Sequence, residues 1–282
     1  MIYQTIDVRP LASACGAEVF GADVSKPLDN AQADEIHAAW MRHHVLVFRD
    51  QTLTPQTQVA FARRFGQPSI YPFVKGFDDQ PEVIAIVKEP HETKNFGERW
   101  HSDTTYTPNP PIGTMLYGVD IPETGGDTMF ASSALAYDQL SDGLKAMLDG
   151  MIAVNSAAVF DNDGGRAARM QYANIEVTGQ DKMNMAAEHP VIRTHPDSGR
   201  KSIYVNRIHT KNFKGWTEGE SQGLLEYLYD HITLPEHTCR VRWEAGMVTL
   251  WDNRAVQHIA LNDYHGTRRE VHRVTIEGEP PK

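Results

Sequence analysis

From about residue 80 onward the chain is a succession of short apolar and β-branched runs, each cut off within a few residues by Pro, Gly or Asp. The runs cover Val83 to Val87, Thr114 to Val119, Met151 to Val154, Val191 to Thr194 and Ser202 to Val205, then Cys239 to Trp243, Met247 to Trp251 and Val271 to Ile276. Each is too short for a helix and too apolar for a loop, so each reads as a strand. Pro196-Asp197-Ser198-Gly199, between two of them, predicts a hairpin turn. Helices are few. Asn30 or Asp29 caps a predicted helix from Ala31 to His43, with Ile36, Ala39, Trp40 and His43 or His44 on one stripe. Thr54-Pro55 begins a second helix that Gly66 ends, and Val45-Leu46-Val47-Phe48 between them predicts a short buried strand. A capping box at Thr217-Glu218-Gly219-Glu220 opens a late helix whose apolar stripe is Leu224, Leu225, Leu228 and Tyr229. Many short strands without strand–helix alternation after residue 150 predict a mainly β (α+β) fold, a β-sandwich or jelly roll with flanking helices. Residues 1–282 read as one domain, with a lid or insert at about 158–188, a polar and weakly periodic stretch.

A net charge of -10 and a pI near 5.7 set the whole-molecule field against nucleic acid and anionic lipid. An anionic ligand must therefore be held by a local cluster of arginines. No run approaches the roughly 18 apolar residues of a membrane helix, and the first residues lack the pattern of a signal peptide. The two cysteines, Cys15 and Cys239, are far apart in sequence and form no disulfide framework or CxxC motif, which predicts a reducing, cytoplasmic setting.

Trp100-His101-Ser102-Asp103 contains His-x-Asp. On a strand, residues i and i+2 share a face, so the imidazole and carboxylate can meet one metal ion. Two histidines and one carboxylate leave open positions on a metal such as non-heme Fe(II). The pair alone is weak evidence, because 13 histidines and 20 aspartates in 282 residues give about one His-x-Asp by chance (13 × 20/282). A second pair, His195-Pro196-Asp197, falls on the predicted hairpin turn, where Asp197 is expected to bond its own backbone. A third ligand is available in His258, just past the apolar run Met247 to Leu250. Farther on, period two puts Arg269, Val271, Arg273 and Thr275 on one strand face. If that face is buried it lines an anion pocket, since guanidinium groups bind carboxylates bidentately. If it is solvated, Glu270, His272 and Val274 point inward, and pattern alone leaves both readings open.

Together with Gly125-Gly126-Asp127-Thr128 and Trp251-Asp252-Asn253-Arg254, these residues make the chain resemble the taurine dioxygenase family, which includes the 2,4-D type dioxygenases. The resemblance runs from Gly16-Ala17-Glu18-Val19 through Val47-Phe48-Arg49-Asp50-Gln51 and Arg64-Phe65-Gly66 to near Gly278. It implies a double-stranded β-helix with Fe(II) on His101, Asp103 and His258. It also implies 2-oxoglutarate as co-substrate, held by Arg269 with Thr128, and O2 as oxidant. The prime substrate would be a small anionic organic acid gripped by Arg273, and hydroxylation would be coupled to decarboxylation of 2-oxoglutarate to succinate and CO2. Because Asp103 is retained, halogenation is disfavoured. Members of the family are often dimers or tetramers. Two departures bear on the substrate: Tyr71 and Gly97 stand where taurine-specific members have histidine and asparagine, so Tyr71 becomes the candidate hydrogen-bond donor to the substrate. His209 and a lid near Phe160 are further candidates to shape the pocket. The competing readings are a jelly-roll metal-binding or ligand-sensing protein without turnover, against which Arg269 and Thr128 argue, and a zinc hydrolase, for which no HExxH-like helix exists.

Overall fold

Val45-Leu46-Val47-Phe48 is buried along its whole length, and the two faces of this strand serve two different cores. In the computed structural model, which describes residues 3–71, 74–157 and 185–282, the first half of the chain runs β1 (Asp7–Pro10), β2 (Ala17–Phe20), α1 (Asn30–His43), β3 (Val45–Phe48), α2 (Pro55–Ala62), β4 (Pro68–Ser69), β5 (Val83–Lys88), β6 (Gly113–Asp120), β7 (Thr128–Ser132), α3 (Ser133–Asp138) and α4 (Asp142–Leu148). It continues with β8 (Ile152–Ser156), β9 (Ala186–Pro190), β10 (Ile192–Thr194), β11 (Lys201–Ile203), β12 (Thr210–Phe213), α5 (Glu218–Ile232), β13 (Thr238–Val241), β14 (Val248–Asp252), β15 (Val256–Ala260) and β16 (Arg269–Ile276).

The main sheet has the order β1-β2-β3-β14-β6-β16, with β4 and β5 sharing the far edge of β16. A second sheet, β13-β7-β15, faces it. Leu46 and Phe48, with Met115, Leu250 and Val274, join Ile36, Trp40 and Phe61 of the helices in one core. Val45 and Val47, with Leu116 and Val271, pack instead against Phe130, Val241 and Val256 of the second sheet. A strand buried on both sides cannot alternate polar with apolar residues, which explains the continuous apolar run. Each such side chain contributes roughly 1.5–3 kcal/mol by its removal from water. This is the mainly β jelly roll with flanking helices that the sequence predicts.

Local chemistry sets the boundaries. Asp29 caps α1 by accepting from the Gln32 amide, and Thr217 and Glu220 form the expected capping box of α5. Helix α2 stops at Ala62, four residues before the predicted stop at Gly66. The amides of Arg64 and Phe65 bond carbonyls three residues back, so the last turn tightens and ends the helix early. Gly66 serves a different purpose: a Cβ there would lie 2.7 Å from Ile276, so its absence lets β16 approach. The predicted hairpin is present as β10 and β11, although Tyr204 and Val205 fall outside the ladder. Of the predicted lid, residues 158–184 lie outside the described residues, as does Phe160, and Ala186 to Glu188 belong to β9. Cys15 and Cys239, remote in sequence, are free thiols with their sulfurs 3.5 Å apart. No helix among the described residues is long and apolar enough to cross a membrane.

His44 closes α1 in the left-handed conformation, φ 61°, and is buried. Burial, opposed by Asp252 and reinforced by Arg200, His195 and His43, pushes its imidazole down to about 4 from 6.5. The folded value is the lower one, so the unfolded chain takes up a proton that the folded chain refuses. Stability is therefore unaffected above about pH 6.5 and declines as pH falls toward about 4, by at most about 3 kcal/mol. Replacing His44 with Asn, which tolerates the left-handed region, is expected to flatten the melting temperature between pH 6.5 and 4. An unchanged slope would assign the acid sensitivity elsewhere.

Candidate active site

His101 and His258 meet across a single rung of β structure. The His101 amide donates to the His258 carbonyl at 3.0 Å and the His258 amide to the His101 carbonyl at 2.8 Å. Residues directly opposite in an antiparallel pair carry their side chains on the same face, so the imidazoles converge, with ring centroids 4.2 Å apart. Sequence pattern predicts His-x-Asp on a strand and His258 just past one. Instead, His101 makes one isolated bridge, a turn follows with Thr104 at φ 44°, and His258 lies within β15. The turn still brings Asp103 round, with its Oδ1 3.8 Å from His101 Nε2. One ligand atom from each of His101, Asp103 and His258 can be chosen so that all lie within 4.8 Å of one another, and all three residues are buried.

The surroundings fix each ligand. His101 Nδ1 is 2.7 Å from the Arg99 carbonyl. A carbonyl only accepts, so Nδ1 carries the proton and Nε2 keeps the lone pair a metal needs. A relay holds the carboxylate: Trp251 Nε1 donates to Asn253 Oδ1 (2.9 Å), Asn253 Nδ2 to Thr114 Oγ1 (3.0 Å), and Thr114 Oγ1 to Asp103 Oδ2 (2.7 Å). Burial by itself raises the Asp103 carboxyl, but Arg273, His258, His101 and the Thr114 hydroxyl outweigh it and hold the group well below the usual carboxylate range. Burial, with His101 beside it, holds His258 well below the usual imidazole value, so it is neutral and able to ligate at pH 7.

Strand β16 settles the face left open by the sequence: Arg269, Val271, Arg273 and Thr275 are all buried. Glu270 and His272 lie on the opposite, partly exposed face, where Glu270 bonds Arg268 and His272. Arg273 Nη2 approaches Asp103 Oδ1 to 2.9 Å. Its N–H vectors nonetheless meet no acceptor, so the contact is ionic and not a hydrogen bond. The ring of Tyr71 lies 5.1 Å from the Arg273 guanidinium carbon. Arg269 lies between the rings of Trp243 (5.5 Å) and Tyr264 (6.0 Å). The paired glycines before Thr128 have positive φ, and a Cβ on Gly126 would press to 3.2 Å on Arg269, so that motif makes room for the arginine. Thr128 lines the same cavity as His101, His258, Arg269 and Arg273.

Five buried nitrogens here have no hydrogen-bond partner: Nδ1 of His258, and Nε and Nη2 of both Arg269 and Arg273. Orphaned buried donors are costly, and such a set fits a metal ion and carboxylate-bearing ligands. Two guanidinium groups against one carboxylate also make the pocket locally positive within an acidic molecule. A larger groove of about 330 Å³, between Trp40 and Glu279, lacks this chemistry, since its Arg254 is already paired with Asp252 and Asp197.

The other histidines fall into place. His195 Nε2 bonds Asp252 Oδ2 at 2.9 Å, and its Nδ1 accepts the amides of Asp197 and Ser198, so it is a structural residue. The Asp197 carboxylate does not cap its own turn as expected; it accepts from Arg254 Nη1 at 2.8 Å. His209, a candidate to shape the pocket, is buried, and its ring packs on Tyr106 at 4.9 Å. Nothing in the sequence pattern points to a site role for Thr114 or Trp243; the proximity of Trp251 and Asn253 within one motif is the available signal for the relay.

Comparison with known proteins agrees with this geometry. A profile of the taurine catabolism dioxygenase TauD, TfdA family matches residues 7–275. An alpha-ketoglutarate-dependent sulfate ester dioxygenase of Pseudomonas putida is 36% identical over 98% of this chain and 91% of its own. The crystal structure of a taurine dioxygenase from Burkholderia xenovorans superposes with a TM-score of 0.83 at 37% identity, covering 99% of this chain and 93% of that one. The structure of AAD-2 in complex with Mn(II) and N-oxalylglycine superposes with a TM-score of 0.79 at 29% identity, covering 99% of each chain.

Proposed function

This chain belongs to the TauD, TfdA dioxygenase family, and from that premise we propose how its own residues divide the work. It is a non-heme Fe(II)- and 2-oxoglutarate-dependent dioxygenase acting on a small organic acid. When bound, Fe(II) with 2-oxoglutarate and O2 supplies an oxidation in which the keto acid becomes succinate and CO2 and one oxygen atom enters a C–H bond of the prime substrate. His101, Asp103 and His258 hold the metal. Two imidazoles and one carboxylate form a donor set suited to Fe(II), and the buried, ionised Asp103 is kept in place by Thr114. Arg269 and Thr128 hold the far carboxylate of 2-oxoglutarate. Arg273 and Tyr71 bind the anionic end of the prime substrate. Apolar side chains at Ile86, Phe96 and Leu116 line the same cavity and exclude water.

The observation that carries this reading is the buried, unsatisfied Arg269 in the same cavity as His101 and His258. Gly97 at φ 85° also lines that cavity and offers no side chain to a substrate. With Arg273 as the anion anchor, alkyl sulfate esters and alkanesulfonates are the first substrates to test, before aryloxy acids and other carboxylates. The chain is taken to act as one dioxygenase domain, cytoplasmic and homo-oligomeric (dimer or tetramer); the free thiols support the first setting, and light scattering checks the second.

Anaerobic addition of 2-oxoglutarate to the Fe(II)-loaded protein is expected to produce a visible charge-transfer band, and aerobic turnover should release succinate with the correct substrate. Absence of the band in folded, iron-loaded protein would sink the assignment. A screen of succinate release over sulfate esters, sulfonates, aryloxy acids and amino acids then names the substrate class.

A further inference from the structure

Trp243 follows β13 and is buried, and its indole touches both groups assigned above to the co-substrate. Nε1 donates to Thr128 Oγ1 at 2.9 Å, and the ring lies 5.5 Å from the Arg269 guanidinium carbon. A threonine hydroxyl has one hydrogen and two acceptor lone pairs, whereas an indole nitrogen can only donate. The indole therefore occupies a lone pair of Oγ1 and cannot receive the hydroxyl hydrogen. Thr128 is itself buried, and among the described residues its hydroxyl donates to no acceptor. What remains is the hydroxyl hydrogen and one lone pair, in an orientation set by the indole, beside an unsatisfied guanidinium.

We propose that Trp243 is a positioning residue for 2-oxoglutarate: its N–H fixes the orientation in which the Thr128 hydroxyl donates toward the far carboxylate, and its ring holds the Arg269 guanidinium in register with that hydroxyl. The proposal rests on the assignment of Thr128 and Arg269 to the co-substrate. It makes a donor-only side chain outside the motif Gly125 to Thr128 set the affinity for the co-substrate without touching it.

The test is a double-mutant cycle on the full-length, Fe(II)-loaded protein. The dissociation constant of 2-oxoglutarate is read anaerobically from the charge-transfer band, with iron affinity measured in parallel. Trp243→Phe keeps an aromatic face for Arg269 while removing the N–H together with one ring of the indole. It is expected to weaken 2-oxoglutarate binding by about three- to tenfold, the scale of one hydrogen bond, with iron affinity unchanged. In steady state, KM for 2-oxoglutarate should rise while kcat is kept. In a Thr128→Val background the same substitution should have no further effect, because the hydroxyl it orients is gone. If Thr128→Val alone leaves binding intact, the co-substrate role of Thr128 falls and the inference with it. If Thr128→Val weakens binding but Trp243→Phe adds its full effect on top, or has none in the wild-type background, only the role of Trp243 is overturned. Should the phenylalanine variant not fold, Trp243→Tyr, which also lacks a donor at the indole Nε1 position, is read by the same cycle.

Discussion

Arg269→Ala is expected to abolish measurable 2-oxoglutarate binding while leaving the metal site loaded. The guanidinium is almost wholly buried, two of its nitrogens have no partner, and burial lowers its proton affinity from the ordinary arginine value. A carboxylate entering this pocket meets a desolvated cation at its strongest. Removing one member of a buried charge pair costs about 3–5 kcal/mol, which is roughly 150- to 4000-fold in Kd. Calorimetric titration of the anaerobic Fe(II) protein checks this. Arg273→Ala is the necessary contrast, because it should spare the co-substrate and weaken the prime substrate. Equal loss of 2-oxoglutarate affinity in both variants would show that the two arginines share one ligand.

The second large effect is expected at Asp103. Asp103→Asn keeps the shape of the side chain but removes its charge, both from the metal and from Arg273 Nη2 2.9 Å away. Metal affinity should fall by more than the roughly 10–100-fold typical of outer-shell substitutions. Thr114→Val, which removes the 2.7 Å bond that orients the carboxylate together with the 3.0 Å bond accepted from Asn253 Nδ2, should fall within that 10–100-fold range. Titration with Fe(II) or Co(II) gives both numbers. A Thr114→Val loss larger than that of Asp103→Asn would mean that Asp103 is not a ligand. The Arg273 contact adds a further consequence: the asparagine variant leaves a buried guanidinium without its carboxylate, so a lower melting temperature should accompany the weaker metal binding.

What could be read from the sequence follows from the range of the interactions involved. Helix caps at Asp29, Thr54 and Thr217 are local, and so is the period-two row Arg269, Val271, Arg273 and Thr275. Both were legible, although burial of the row needed the structure to decide. Val45 to Phe48 was legible as a buried strand because a strand covered on both faces has no polar positions. The early end of α2 was missed because Gly66 looks like a helix stop, while its actual constraint is the distant Ile276. Asp197 was given a local partner by turn chemistry and found a remote one in Arg254. The relay from Trp251 through Asn253 and Thr114 to Asp103 joins three separate stretches of chain, and no periodicity announces such a path. The Cys15–Cys239 contact, between residues 224 positions apart, is of the same kind.

The single rung that pairs His101 with His258 has a further consequence for when the protein becomes reactive. Its two hydrogen bonds form only once the loop bearing His101 has docked on β15. A one-residue slip would present Gln257 or Ile259 to the loop in place of His258 and turn the imidazole to the other face. A nascent or misregistered chain therefore lacks a second imidazole beside His101. On the metal assignment proposed above, binding of the metal is therefore tied to the closing of this rung.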